Sequence, residues 1–298
     1  MSPLDAVMEQ ARRRSARIGL IGQGDGSIEA AGADVVKRGL GSVTVFGPGG
    51  IEPTTDPRLP KAAQALRERW PERVRDGIHA LDLAAHPLLF AAGLTAAGEL
   101  DVVIGGTAVP IDAMEEAARW VMGPDRAIQC RGSLGSFATV DGRLVTLVMP
   151  DSAGPLDATG VARLALTAAN HRGQAVGDKP VVGFLVPPPS QDASHADAEL
   201  ALAELRLLAP ALSASVEWNW APPGRDPGRF QSGPNVLIFP NQVAGHLAQV
   251  ILRDAAGLRV WGPLFPGGTW TLGGVPDGAD PSDIVAVIAL AAAGTSAA

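Results

Sequence analysis

Apolar and polar positions along this chain switch repeatedly between two periods. Residues 4–14 follow the 3.6-residue period of an amphipathic helix, and 17–22 is a short apolar run of the kind that forms a buried strand. The helical period returns over 27–38 and is closed by Gly39, the residue type that most often ends a helix. Residues 42–46 form the next strand, stopped by Gly47-Pro48-Gly49-Gly50. Strand, helix, strand in that order predicts a parallel sheet with helices packed on its faces.

The same reading predicts helices over 62–75 and 86–97, a buried strand over 101–104 and a helix over 111–122. Beyond Cys130 the texture changes. Residues 134–140 and 144–149, separated by Asp141-Gly142, predict an antiparallel hairpin. A helix over 156–171, a strand over 181–186, a helix over 195–208 and a strand over 213–218 follow. Asn235 to Phe239 reads as a buried strand that turns at Pro240 into a helix reaching about Asp254. A second apolar strand then ends in the glycine-rich loop Gly267-Gly268, and the last helix starts after Asp280. The fold class expected is α/β, with two lobes of mostly parallel sheet and flanking helices. No internal repeat stands out.

Composition narrows the class. A chain of 298 residues with 46% hydrophobic content can bury a large core in one or two domains. Its single cysteine excludes an intrachain disulfide and any cysteine-cluster metal site, and it fits a reducing compartment. A net charge of -7 argues against general nucleic-acid binding. The first 17 residues carry Arg12, Arg13, Arg14 and Arg17 without the apolar core of a secretory signal, and no stretch has the composition of a membrane span. A soluble, cytoplasmic protein acting on a small molecule is the expectation, with no nucleic-acid or membrane partner.

Four segments carry candidate chemistry. Gly22-Gln23-Gly24-Asp25-Gly26-Ser27 follows a strand, but its glycine spacing and the lack of a carboxylate after the next strand argue against a dinucleotide site. Gly105-Gly106-Thr107, followed by Pro110 and Asp112, lies between a strand and a helix. Backbone N–H groups there suit an anion or a carbonyl oxygen, and the same residues also make an ordinary helix start. Asn241 and His246 occupy the equivalent turn after the strand at 235–239, where Asn241 can hold a ligand or cap the helix. Asp280-Pro281-Ser282-Asp283 is a good helix start in its own right. His79, His86, His171 and His195 are scattered without metal-ligand spacing, and no metal site is expected.

The run Asn235-Val236-Leu237-Ile238-Phe239-Pro240-Asn241-Gln242-Val243-Ala244-Gly245-His246, with Gly262-Pro263-Leu264 after its helix, resembles the C-terminal signature of the phosphate acetyl/butyryltransferases. That signature reads N-V-L-I-F-P-D-x-N-A-G-N and leads through a helix to a G-P-[IL] strand. Gly105 and Asp112 match a second family segment, S-G-A-x-H-[ST]-[ST]-x-D-[TL]-[LI]-R, whose arginine becomes Glu115 and whose histidine becomes Ala108. Gly278 and Asp283-Ile284-Val285 match a third segment, in which Pro276 and Asp277 replace the family's serine and arginine. A further family arginine falls on Asp254, beside Arg253. The resemblance implies an isocitrate/isopropylmalate dehydrogenase-like fold, with residues 1–128 plus 262–298 as one lobe and 129–261 as the second, dimerising lobe.

The activity it implies is acyl transfer between CoA and phosphate or another acceptor in a cleft between the lobes. CoA or acyl-CoA is then a substrate and no cofactor is bound. Asp283 is the implied base. Backbone donors at Gly105-Gly106 and Gly267-Gly268, with Thr107, would stand in for the missing arginines, and Asp112, Glu115, Asn241, His246 and Asp277 are the remaining candidates for substrate contact. Replacing an arginine at a phosphate site by a carboxylate turns attraction into repulsion of about 1 kcal/mol or more per pair. Two alternatives therefore stand beside acyl transfer. One is an enzyme of this fold converted to a cationic, metal-bound or one-carbon/pterin substrate, related to methyltransferases. The other is a non-catalytic binding or assembly protein. A homodimer is expected, with Trp218 and Trp220 belonging either to its contact or to the core.

Overall fold

The computed structural model describes residues 2–22, 26–124, 132–138, 142–151, 157–186, 194–217, 233–276 and 278–296. Asp277, Cys130, Trp218 and Trp220 lie outside the described residues. Backbone contacts divide the chain into two compact units. The first is Leu4–Ala127 with Gly262–Ala298, and the second is Met1–Pro3 with Ile128–Trp261.

In the first unit α1 (Pro3–Arg14), β1 (Ala16–Ile21), α2 (Gly26–Lys37) and β2 (Gly41–Phe46) are followed by three helices, α3 (Leu59–Arg69), α4 (Gly77–Ala84) and α5 (Pro87–Ala96). Then come β3 (Val102–Gly105) and α6 (Ile111–Met122), and the chain returns late with β9 (Val260–Pro266), β10 (Thr271–Gly274) and α10 (Pro281–Gly294). The strand order is β2-β1-β3-β10-β9, parallel except for the antiparallel pair β9–β10. All four residues of β3 are buried, as a strand covered on both faces requires. Helix α10 is buried from Ile284 to Gly294, so its apolar run is a core helix.

Two predicted elements differ. The helix expected over 62–75 stops at Arg69, because Pro71 disfavours helical geometry at Trp70, which leaves the helix at φ -132° and ψ 63°. A separate helix, α4, follows, capped by the Asp76 carboxylate accepting from the His79 N–H. The other difference is β10, which the sequence reading did not separate from the glycine-rich loop.

The second unit contains the antiparallel hairpin β4 (Gly132–Ala138) and β5 (Leu144–Pro150), then α7 (Ala158–Val176), β6 (Val181–Leu185), α8 (Ser194–Leu208), β7 (Ser213–Glu217), β8 (Val236–Ile238) and α9 (Gln242–Val250). Its strand order is β4-β5-β8-β6-β7, with the last four parallel. Helix α9 continues into one π turn, Ile251–Ala255. Among the described residues no single helix is long and apolar enough to cross a membrane.

A buried guanidinium ties α7 to this sheet. Arg172, whose side chain is wholly buried, donates to both carboxylate oxygens of Asp178 at 3.0 and 2.6 Å and to Thr146 Oγ1 at 3.2 Å. Asn235 joins from the start of β8, donating to Asp178 and to the Lys179 carbonyl while accepting from the Val181 N–H. Burial holds the Arg172 pKa below the usual arginine value, and Asp178 opposes that shift. Asp178→Ala is expected to lower stability by about 1–3 kcal/mol, at the lower side of the range for unpairing a buried charge because Asp178 itself reaches solvent. Urea unfolding measures it, and a change under about 0.5 kcal/mol would contradict the role given to the pair.

His171, next to Arg172, is fully buried and its Nε2 has no hydrogen-bond partner, so desolvation pushes its pKa from 6.5 down to about 4. Between those two values the unfolded chain binds a proton that the folded chain refuses. Stability is therefore constant in this respect above pH 6.5 and falls as pH drops toward about 4, by on the order of 3 kcal/mol in all. His171→Gln is expected to flatten that part of the stability–pH curve, and an unchanged slope would contradict the assignment.

Candidate functional site

Three parallel strands of the first unit end level with one another. Ile21 of β1 and Gly274 of β10 both pair with Gly105 of β3. Each strand then leads to a helix, α2, α6 and α10 respectively. The alternation of side chains sends these helices to opposite faces. Leu20 of β1 meets α2 at Gly32, and α2 packs on α10. Ile21, Val103 and Leu272 belong to the core shared with α5 and α6. The chain leaving β3 thus goes one way and the chains leaving β1 and β10 the other, so the connections reverse direction beside Gly106 and Thr107. Ligands of open α/β sheets bind at such a reversal, outside the carboxyl ends of the strands.

The glycines of this edge serve packing first. A Cβ on Gly105 would stand 2.7 Å from Met114 Sδ, and one on Gly274 would stand 2.7 Å from Ile111 Cδ1. Their absence lets α6 settle against β3 and β10. The Gly106 N–H donates to the Ile21 carbonyl at 3.2 Å, and the Gly106 carbonyl accepts from Val109 at 3.0 Å. The expectation of free donors at Gly105-Gly106 is therefore corrected at Gly106, whose N–H closes the sheet. Thr107 is half-buried beside it, and Asp112 is exposed in the first turn of α6, where Oδ1 accepts from the Ala113 N–H at 2.9 Å.

Asp283 stands at the same edge, half-buried in the first turn of α10. Asp280 caps that helix by accepting from the Asp283 N–H at 2.9 Å and from Ser282 Oγ at 2.6 Å, with Pro281 at the first helical position. The cap fixes the turn that carries Asp283.

Gly267 and Gly268 do not join this group. They form the turn between β9 and β10, at the amino end of β10, where Thr271 pairs with Val102. Three residues of strand, about 10 Å, separate that end from Gly274. The Gly267 N–H donates to the Trp270 carbonyl at 2.8 Å, the Gly268 carbonyl accepts from Ser296 at 2.8 Å, and the Trp270 ring fills the space a Gly267 side chain would need. The sequence reading placed this loop at the end of an apolar strand and among the candidate donors. The strand is antiparallel, so the loop lies at the opposite edge.

Among the described residues, Glu115 and Asp254 are the carboxylates that fall on family arginines, and each is held by an arginine of its own helical segment. Glu115 pairs with Arg119 at 2.5 Å, and Arg119 also reaches Glu116 at 3.1 Å. Asp254, in the π turn of the second unit, pairs with Arg253 at 2.7 Å, and this bond lowers the Asp254 pKa and raises that of Arg253. Neither is a bare negative charge. Among the described residues no cluster of three or more His, Cys, Asp or Glu has the arrangement of a metal site.

In the second unit Asn241 follows the carboxyl end of β8 and caps α9, its Oδ1 accepting from the Ala244 N–H at 2.9 Å. Gly245 is buried against Met149, which explains that glycine without a ligand. His246 is exposed one turn into the helix. Sequence reasoning missed Met114, Ile111 and Asn235, whose roles are packing and strand-end bonding and leave no local signature.

No family model matches the chain. A curated phosphate acetyltransferase of Paracoccus denitrificans is 26% identical over 299 residues, covering 90% of this chain and 91% of that protein. A phosphotransacetylase of Streptococcus pyogenes superposes with a TM-score of 0.82 at 15% identity, over 98% of this chain and 97% of that one. The EutD phosphotransacetylase of Staphylococcus aureus gives 0.78 at 18% identity, with the same coverage of 98% and 97%.

Gly105→Ala is expected to destabilise the first unit by about 1–3 kcal/mol, as overpacking against Met114 does. Gly105→Ala combined with Met114→Ala should recover most of that loss in thermal unfolding if the contact is the cause. The chain thus shares the fold of the phosphotransacetylases over nearly its whole length and is similar in sequence to a phosphate acetyltransferase along nine-tenths of it.

Proposed function

We propose that the protein is an acyltransferase working between CoA and phosphate or another acceptor, with its chemistry at the carboxyl edge of β1, β3 and β10. The observation that carries the reading is the likeness to a phosphate acetyltransferase along nine-tenths of the chain, joined to the position of Asp283 at that edge. In the direction of acyl-CoA synthesis the Asp283 carboxylate takes the proton of the CoA thiol. The thiolate sulfur attacks the acyl carbon, the bond from that carbon to the phosphate oxygen breaks, and phosphate departs. Charge developing on the carbonyl oxygen calls for preorganised donors. Thr107 and the first turns of α6 and α10 supply hydroxyl and N–H groups of the right kind.

The pairing of Glu115 with Arg119 supports this reading over a converted, cation-binding enzyme. A site for a metal or a cationic substrate needs carboxylates with charge to spare, and Glu115 and Asp254 already face arginines. A pterin or one-carbon substrate gains no support from these pairs. The same neutralisation reduces the repulsion a phosphate would meet at Glu115. A cytoplasmic setting, where CoA and acyl phosphates coexist with free thiols, suits a chain with one cysteine.

Ligand-dependent thermal unfolding tests the reading. CoA at about 100 times its Kd is expected to add about 2.7 kcal/mol of apparent stability, with no comparable effect from magnesium ion or tetrahydrofolate. Stabilisation by either of those without any by CoA would overturn acyl transfer in favour of a converted site. Asp283→Asn should keep the CoA effect and lower turnover by on the order of 100-fold, the scale of a lost general base.

A further inference from the structure

Helices α3 and α5 touch at one point and leave a gap beside it. A Cβ on Gly93 would stand 2.6 Å from the Ala62 carbonyl oxygen, so the two helices meet there without a side chain between them. Next to that contact lies a solvent-open cavity of about 530 Å³, within the first unit. Ala65, Ala96 and Ala97 form its floor, and the small size of these three side chains leaves it open. Lys61, Gln64, Glu68 and Arg69 form its wall. With Ala65 these fall at i, i+3, i+4, i+7 and i+8, the spacing of one helix face, so α3 brings all four polar side chains to the same groove.

Two charges in this wall are left over. Lys61 is paired with Glu99, just past the end of α5. Gln64 Nε2 donates to one carboxylate oxygen of Glu68 at 2.7 Å, which leaves Glu68 its charge and its second oxygen. Among the described residues Arg69 has no carboxylate partner. Glu68 and Arg69 do not neutralise each other, because consecutive residues of a helix do not face one another. Opposite them α5 ends at Ala96. The carbonyls of a last helical turn lack partners within the helix and carry the negative end of its dipole. The cavity therefore offers one guanidinium fork, one carboxylate and a set of carbonyl acceptors.

We infer that this cavity binds a small zwitterion of the amino-acid class. Its carboxylate takes the Arg69 fork, and its ammonium group donates to Glu68 and to the last carbonyls of α5. A plain anion would meet Glu68 and the helix dipole unfavourably, and a plain cation would meet Arg69. A molecule carrying both charges answers both. The volume lies within the usual range of small-molecule sites, and the alanine floor accepts an apolar side chain. The cavity is separate from the edge where acyl transfer is proposed. Ala97 precedes β3, and three residues of strand, about 10 Å, then lead from Val102 to Gly105. The zwitterion is thus a ligand additional to CoA and the acyl acceptor, and its binding does not depend on the acyl-transfer reading.

Calorimetric titration of the full chain with L-alanine tests it, with acetate and methylamine as the two half-ligands. Alanine is expected to bind with a Kd on the order of 1 mM, within reach of a ligand this small, and each half-ligand at least about 10-fold more weakly. Arg69→Ala and Glu68→Gln, both at exposed positions, should each weaken alanine binding about 10-fold or more, the scale of a lost charge-assisted hydrogen bond. Ala97→Leu should do the same by filling the floor without changing a charge. Binding of CoA is expected to be unaltered in all three variants. No detectable alanine binding at about ten times that Kd would overturn the inference. So would alanine binding that persists unchanged in both Arg69→Ala and Glu68→Gln, or acetate binding as tight as alanine, which would make the cavity a plain anion site.

Discussion

Everything at the candidate site depends on β3 lying between two parallel neighbours with its last residue in register with theirs. A four-residue strand buried on both faces has no room for a polar side chain and no freedom to slip, because a one-residue shift would exchange its two faces. Fixing Gly105 level with Ile21 and Gly274 fixes three departures toward three helices. The helices take opposite faces, so the reversal beside Thr107 follows from the order of strands rather than from any residue at it. The absent side chains at Gly105 and Gly274 let α6 come close against β3 and β10.

The chemistry proposed for this edge turns on charge. Where the family has arginine, this chain has Glu115, and four residues on it has Arg119 to meet it. The pair is internal to one helix and costs little to form, since both ends are on a single rigid element. Its effect is to remove a carboxylate's field from the neighbourhood of the site without restoring a phosphate fork. An anion at this edge would depend on helix N-termini and hydroxyls instead, which bind phosphate less tightly than paired guanidinium forks. Weak phosphate binding and an acceptor other than phosphate are both compatible with that chemistry.

Much of the fold was legible in the sequence because its signals are local. Buried strands such as β1 and β3 are short apolar runs closed by glycine, and α10 announces itself through Asp280 and Pro281. What stayed hidden was non-local. The segment Thr271-Leu272-Gly273-Gly274 is too short and too glycine-rich to show a strand period, yet it pairs with β3 and reverses the sense of the loop before it. Misplacing Gly267-Gly268 followed from that alone. Motif comparison isolated Glu115 as a lost arginine, although the i, i+4 spacing to Arg119 was readable in the same helix. Asp112 and Asn241 were open between ligand and cap roles. Each now has a backbone partner in its own helix, which accounts for the residue without a ligand.

The central claim is that a site without its family arginines still transfers an acyl group between CoA and an oxygen acceptor. The most direct measurement is acetyl-CoA formation by the purified full chain supplied with acetyl phosphate and CoA, followed at the thioester absorbance. Turnover that needs both substrates and falls by on the order of 100-fold in Asp283→Asn is the result the account predicts. Absence of turnover with acetyl, propionyl and butyryl phosphates, from a protein shown to be folded, would contradict it.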